Sequence, residues 1–439
     1  MPTLTFPLSR IEGHAQVVIE VQAGEVLATH FQATEFRGFK HLVQGIPAEQ
    51  MVVIVPRICG VCSTAHHLAA VKALEDIYDV APPPLACEIR ELLMLGQIVQ
   101  NQATSLFIFT MPDRLGVSSI YQLAQREGDE ADTLRSQIAT QALRVRAAGT
   151  HLITLAGGQF IHPVKAVVGG VISGVSEGQS ANMRDEVLES LPIARQLFDY
   201  YWEQSVALKE RIGTWGDDQP ACYIAAIEDT CPDYTGADIR VMDVDGRVSA
   251  RFPPRDFQHY LSYEETDYSY AGRTSYRGAM MRANSLARIN MTKSMGTPLA
   301  DEYLARFRDT FGQPAHAILL FDLARGIELV YALERAAEIL GQRLDGEDTA
   351  VAYTPRDGEG YGLVEAPRGP LIHHYVVRDG LIEQAAFVIP TVHNVLAIER
   401  ALRVAAERYI TPDRVDMELE RAVGRVVRAF DPCIACATH

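Results

Sequence analysis

Positive charge is in deficit in this chain of 439 residues: 40 Lys and Arg stand against 56 Asp and Glu, a formal charge of −16. Nucleic acids and anionic membranes bind through a basic face, so neither is expected as a main partner. No apolar run reaches the roughly 18 residues of a membrane span, and Met1 to Arg10 holds no signal-peptide core. There is no repeat, no low-complexity tract and no obvious linker. Cysteine is sparse and odd in number, seven in all. A chain this long does not need a disulfide framework to fold. The hydrophobic fraction of 48% and a mean hydropathy near zero fit a globular protein with a large core.

What is present reads as helices with β annexes. Residues 14–36 form a β-rich hairpin: Ala15 to Val21 alternate, Gly24 turns and Val26 to Phe36 return. Ser63 to Ile77 reads as a helix. Cys87 to Phe109 reads as a buried helix, followed by Thr133 to Leu155 and by Asn182 to Ile212, bent at Pro192. A β-rich insert spans about 221–270, with Asp245-Gly246 at a hairpin turn. Helices resume at Leu299 to Thr310 and Ala317 to Leu340. A second hairpin covers Leu371 to Val377 and Ile382 to Ile389, and a helix over Val415 to Ala429 leads to the end. The expected fold class is mainly α with α+β character: a long-helix bundle with peripheral β-hairpins in one interwoven domain, 1–439.

Two Cys-x-x-Cys pairs lie at opposite ends, Cys59-Gly60-Val61-Cys62 and Cys433-Ile434-Ala435-Cys436. Brought together, they make a tetrathiolate suited to zinc, iron–sulfur or nickel, because thiolate is a soft anionic donor. A structural zinc ribbon places its pairs close in sequence and serves small domains, which disfavours zinc here. Ligands so near the tip of the chain imply that the tail is tucked inside. Four thiolates need offsetting charge, for which Arg57 is a candidate, and Gly60 allows the backbone to aim its N–H at a sulfur. Cys87, Cys222 and Cys231 are expected to be buried small apolar residues. Three scattered thiols cannot hold an iron–sulfur cluster, which usually takes four.

The surrounding residues carry a resemblance. Arg10-Ile11-Glu12-Gly13-His14 and Arg57-x-Cys59-Gly60-x-Cys62 stand near the start. Gly157-Gly158, His162-Pro163 and Gly169-Gly170 stand mid-chain, Glu365-Ala366-Pro367-Arg368-Gly369 and Pro390-Thr391 follow, and Asp431-Pro432-Cys433-x-x-Cys436-x-x-His439 closes the chain. Together they resemble the large, catalytic subunit of NiFe hydrogenases. The resemblance implies nickel held by Cys59, Cys62, Cys433 and Cys436. Cys62 and Cys436 would bridge to an iron bearing carbon monoxide and two cyanides. Cys433 would take the proton of H2 and Glu12 relay it. Arg368, oriented by Asp431, would stand beside the metals, while Pro367, Pro390 and Thr391 cradle the diatomic ligands. His66 would hydrogen-bond a bridging thiolate, and His439 would bind a structural magnesium.

The resemblance also implies partners: a small subunit bearing iron–sulfur clusters, further electron-transfer subunits, and a maturation protease and nickel chaperones. A cytoplasmic location is expected. Two departures stand out. Lys40 occupies a position where the family places a magnesium-binding Glu, and a protonated lysine cannot ligate a cation. Lys40 is therefore expected to supply the missing charge itself, with Glu35 pointing elsewhere. Asn101 stands where relatives carry an Asp near the arginine, and is expected to hydrogen-bond the guanidinium without charge. Two other readings remain open, an H2-sensing regulatory protein and a quinone-binding relative without metal. Retention of four cysteines disfavours the latter.

Overall fold

The computed structural model describes residues 3–124, 133–212, 216–228, 231–236, 238–412 and 414–438. The chain opens with a three-stranded antiparallel sheet, β1 (Thr3–Pro7), β2 (Ala15–Gln22) and β3 (Glu25–Ala33). β2 buries Ala15, Val17, Ile19 and Val21, as strict alternation requires. β1 is an addition to the expected hairpin.

The body is helical. Helix α1 (Ser63–Tyr78) starts immediately after the first cysteine pair. Helix α2 (Pro84–Ala103) packs against α3 (Thr133–Gly157). Helix α4 (Glu177–Val206) packs on α3. It begins five residues before the expected start, because Ser176 and Gln179 form a reciprocal capping box. It also runs on past Pro192.

One sequence expectation is corrected here. The helical stretch Pro84–Leu115 is long and apolar enough, by length and composition, to cross a membrane. Its apolar window is 83% buried inside the protein, so other helices rather than lipid cover it.

The β insert is a four-stranded sheet. It contains β4 (Cys222–Ala225), β5 (Ile239–Met242), β6 (Val248–Phe252) and β7 (Met281–Arg282), in the order β7-β4-β5-β6. The turn between β5 and β6 carries Asp245-Gly246, as expected, with Gly246 at φ 82°. Helix α5 (Phe321–Leu340) crosses both α2 and α4.

A second meander follows: β8 (Gly358–Ala366), β9 (Gly369–Arg378) and β10 (Leu381–Val388). β8 pairs with β9 up to Ala366–Gly369, so Pro367 and Arg368 alone form the turn. Helix α6 (Pro390–Tyr409) then packs against β3 and against α7 (Glu418–Phe430). After α7 the chain turns inward: Asp431 to Thr438 are all buried. The tail is tucked inside, as the cysteine spacing demanded.

Candidate metal centre

Four elements converge on the cysteines. Cys62 is the N-cap of α1, where the helix N-terminus favours a thiolate. Cys59 lies three residues earlier and accepts hydrogen bonds from the backbone N–H groups of Val61 and Cys62, each at 3.3 Å. These two donors, rather than Gly60, satisfy the sulfur. Cys433 is the N-cap of a single helical turn, Ile434–Ala437, that follows α7, and Cys436 lies within it.

The four Sγ atoms lie within 4.8 Å of one another and all are buried. Cys433 Sγ is 3.3 Å from Cys59, 3.8 Å from Cys62 and 2.9 Å from Cys436, and Cys62 is 3.0 Å from Cys436. Thiolates held about 2.3 Å from one ion stand about 3 to 4.6 Å apart as the S–metal–S angle opens. The donor set therefore fits a metal bound by all four sulfurs. Burial pushes the Cys433 and Cys436 thiols well above the usual range, while hydrogen bonds from Cys433, Cys436 and Cys62 pull Cys59 down. Without a cation, the protein supports one thiolate far better than four.

Glu12 reaches the cluster from the loop after β1. Its carboxylate Oε2 is 3.1 Å from Cys433 Sγ and accepts the N–H of Ala435 at 3.1 Å. Its carbonyl accepts the N–H of Ile434, and Glu12 and Cys433 form a parallel bridge. Gly13 makes this approach possible: at φ 79°, a Cβ would lie 2.7 Å from Ile434 Cβ. Burial, and next the negative charge of Cys59, raise the Glu12 carboxyl above its ordinary range.

Arg368, in the β8–β9 turn, meets Asp431. Its Nη2 is 3.1 Å from Asp431 Oδ2 and its Nε donates to the Asp431 carbonyl. Burial opposes the charge, but Asp431 and the thiols of Cys433, Cys62 and Cys59 more than offset it, so the guanidinium stays charged. Its Nη1 is buried with no hydrogen-bond partner among the described residues. Asp431 thus orients Arg368, as expected. Arg57 does not supply the cation: it is exposed and donates to the Val53 carbonyl.

Asn101 is also placed differently from its expectation. Its Nδ2 donates to Asp431 Oδ2 at 3.1 Å and to Gln102 Oε1 at 3.3 Å. It holds the carboxylate that holds the arginine. Asn101→Asp therefore sets two buried carboxylates against each other and should lower stability by about 1–3 kcal/mol, read as an earlier thermal transition of the purified complex.

The cavity beside the sulfurs holds about 20 Å³, lined by Cys62, His66, Pro367, Arg368, Leu371, Ile389, Pro390 and Thr391 among others. Pro390 opens α6 and sets Thr391 in its first turn. Thr391 Oγ1 accepts the Cys433 N–H at 3.0 Å, which leaves its own proton to donate. Apart from the sulfurs, the His66 ring, this hydroxyl and the Arg368 guanidinium, the cradle is apolar. It suits small neutral and anionic diatomics. His66 Nε2 is 3.3 Å from Cys436 Sγ.

His439 lies outside the described residues. Arg37, just before Lys40, donates its N–H to the Thr438 carbonyl at 2.8 Å, so the 37–40 segment does border the tail. Glu35 is drawn away by His14, 2.9 Å distant. The chain carries Lys40 where the resemblance places a magnesium-binding carboxylate. Cys87 is exposed, and Cys222 and Cys231 are half-buried, contrary to expectation. The sequence reading missed Asn101's true partner. It also missed His373 and Tyr375, which stand behind His66, although their one-residue spacing on a strand was a usable signal.

A family model described as nickel-dependent hydrogenase matches residues 37–141 and 228–439, and one described as HoxL-like matches 6–36. The chain is 31% identical to one of the subunits of the F420-non-reducing hydrogenase of Methanothermobacter thermautotrophicus, over 99% of this chain and 93% of that one. It is also 31% identical to NAD-reducing hydrogenase HoxS subunit beta of Cupriavidus necator, with the same coverage. Among solved structures, an NAD+-reducing NiFe-hydrogenase in the H2-reduced state superposes with a TM-score of 0.93 at 28% identity, covering 100% of both chains. With its four sulfurs gathered at one point, the chain belongs to the nickel-dependent hydrogenases, as a large subunit.

Proposed function

We propose that this subunit splits H2 reversibly at a nickel–iron pair, which Cys59 and Cys433 would hold through nickel alone and Cys62 and Cys436 would hold through both metals. The carrying observation is the meeting of four buried sulfurs with Glu12 on one side and a partnerless guanidinium nitrogen on the other. When bound, the metal pair polarises H2 so that it parts heterolytically, giving two protons and two electrons in all. The protein's residues do the rest. Cys433 Sγ is the first proton acceptor, and Glu12 Oε2 takes the proton onward over 3.1 Å. The Ala435 N–H pins the receiving oxygen. Arg368 sets a fixed positive charge against the cradle, and with Thr391 offers donors to cyanide.

The family resemblance implies an iron carrying carbon monoxide and two cyanides, and the cradle, with the Thr391 hydroxyl and the Arg368 guanidinium on its wall, is compatible with them. Lys40 is read as standing in for a magnesium charge near the tail. Electrons leave through a partner bearing iron–sulfur clusters, because this chain's three other cysteines cannot ligate one. Further electron-transfer subunits, and a maturation protease and nickel chaperones, complete the set. The protein is assigned to the cytoplasm, a reading supported by its similarity to a hydrogenase named for reducing NAD, a soluble coenzyme.

Elemental analysis of the purified complex should find nickel and iron without stoichiometric magnesium, with infrared bands of bound carbon monoxide and cyanide. Zinc in place of nickel overturns the reading. Rapid H2-dependent dye reduction is expected; slow turnover with a bound signalling partner points to a sensor. Arg368→Lys keeps the charge but loses the planar fork held by Asp431. It should reduce turnover about 10–100-fold while nickel content holds.

A further inference from the structure

Behind His66 lies a chain of polar groups that the reaction above does not use. His66 Nε2 faces Cys436 Sγ at 3.3 Å, and its Nδ1 is 2.9 Å from His373 Nε2. His373 Nδ1 is in turn 2.6 Å from the Tyr375 hydroxyl. All three side chains are buried. His373 and Tyr375 alternate on one face of β9, and Phe387 of β10, directly opposite His373, seals them at ring distances of 4.8 and 6.4 Å. Among the described residues Tyr375 has no second hydrogen-bond partner, so the chain ends inside the protein. It is no exit for protons.

With both imidazoles neutral, three hydrogen bonds in series have only two consistent directions. In one, Tyr375 O–H donates to His373 Nδ1, His373 Nε2–H donates to His66 Nδ1, and His66 Nε2–H donates to Cys436. In the other, every bond reverses and the sulfur must itself donate a proton. A metal-bound thiolate has none to give, so only the first direction suits a loaded centre. We infer that Tyr375 and His373 are positioning residues that fix the tautomer of His66 and hold an N–H on the bridging sulfur of Cys436, thereby withdrawing electron density from the metals. The effect is that of a second shell on a metal ligand, extended here to a third and a fourth group.

This rests on the nickel–iron reading, and the test separates the two. His373→Leu breaks the chain, Tyr375→Phe removes its first donor with little loss of volume, and His373→Gln restores an N–H toward His66. In the purified complex, His373→Leu should move the carbon monoxide band to lower wavenumber and the nickel midpoint potential to more negative values. A sulfur relieved of a hydrogen bond gives more charge to the metals. Tyr375→Phe should move both in the same direction by less, and His373→Gln should return them toward wild type. Unchanged bands and potential in His373→Leu and Tyr375→Phe overturn the inference. A wild-type complex without diatomic bands overturns the ligand reading instead, and the midpoint potential then decides the inference alone. Should His373→Leu fail to load nickel, Tyr375→Phe carries the test by the same two readouts.

Discussion

Cys436→Ser abolishes hydrogen turnover and strips nickel from the complex, a loss of activity of more than about 100-fold, since changes one shell further out already cost about 10–100-fold. An alcohol is a hard, neutral donor at pH 7 and cannot replace a soft anionic one. Cys436 also stands against Cys62 at 3.0 Å, Cys433 at 2.9 Å and His66 at 3.3 Å. The fold should survive, because the continuous core that takes in the four sulfurs extends through all the main helices, well beyond the metal site. Circular dichroism alongside nickel analysis separates the two. The control is Cys87→Ser, an exposed thiol remote from the cluster, which should leave nickel at the wild-type level. Equal nickel in Cys436→Ser and wild type defeats the four-sulfur assignment.

Glu12→Gln should leave the metals in place and remove the proton path. Turnover falls about 10²–10⁴-fold, the usual contribution of a positioned acid–base group, while infrared bands and nickel content stay as they were. Glu12→Asp shortens the reach by one methylene and recovers part of the rate. The pH dependence has a definite sign. Burial and the Cys59 charge raise the Glu12 carboxyl above its ordinary range, so the proton-accepting carboxylate is lost at a higher pH than an exposed Glu would lose it. H2 oxidation should therefore decline, as pH falls, earlier than an ordinary carboxylate predicts, and Glu12→Gln should lack that limb altogether. A Glu12→Gln enzyme with wild-type rates and pH profile would falsify the relay.

The site was more legible in the sequence than the scaffold around it. Glu12, Arg368, Asp431 and Thr391 came only with the family resemblance, whereas the paired cysteines announced themselves by spacing and residue type. Their companions by proximity in sequence did not. Arg57 stands two residues from Cys59 yet points outward, and the cation comes from Arg368, more than 300 residues on. Adjacency along the chain says little about which charge a buried sulfur meets.

Among the elements, β8 has no counterpart in the sequence expectation, because Gly358, Gly360 and Gly362 weaken its strand signal. They are there for another reason: a Cβ at Gly362 would sit 1.9 Å from the Ala69 carbonyl of α1. Helix and strand touch backbone to backbone, and tertiary packing overrides propensity. The Asp245-Gly246 hairpin and the helix before the tail were found because their signals are local.

The tail's insertion has a kinetic side. Cys59 and Cys433 are 374 residues apart, so joining them closes nearly the whole chain into a loop, at an entropic cost of about 5 kcal/mol by the logarithmic law. Contacts of such long range form late. The bound metal then acts as a cross-link across that loop, as a disulfide would. Its removal by a chelator should first release residues 431–438 to hydrogen exchange, while the helices beneath stay protected.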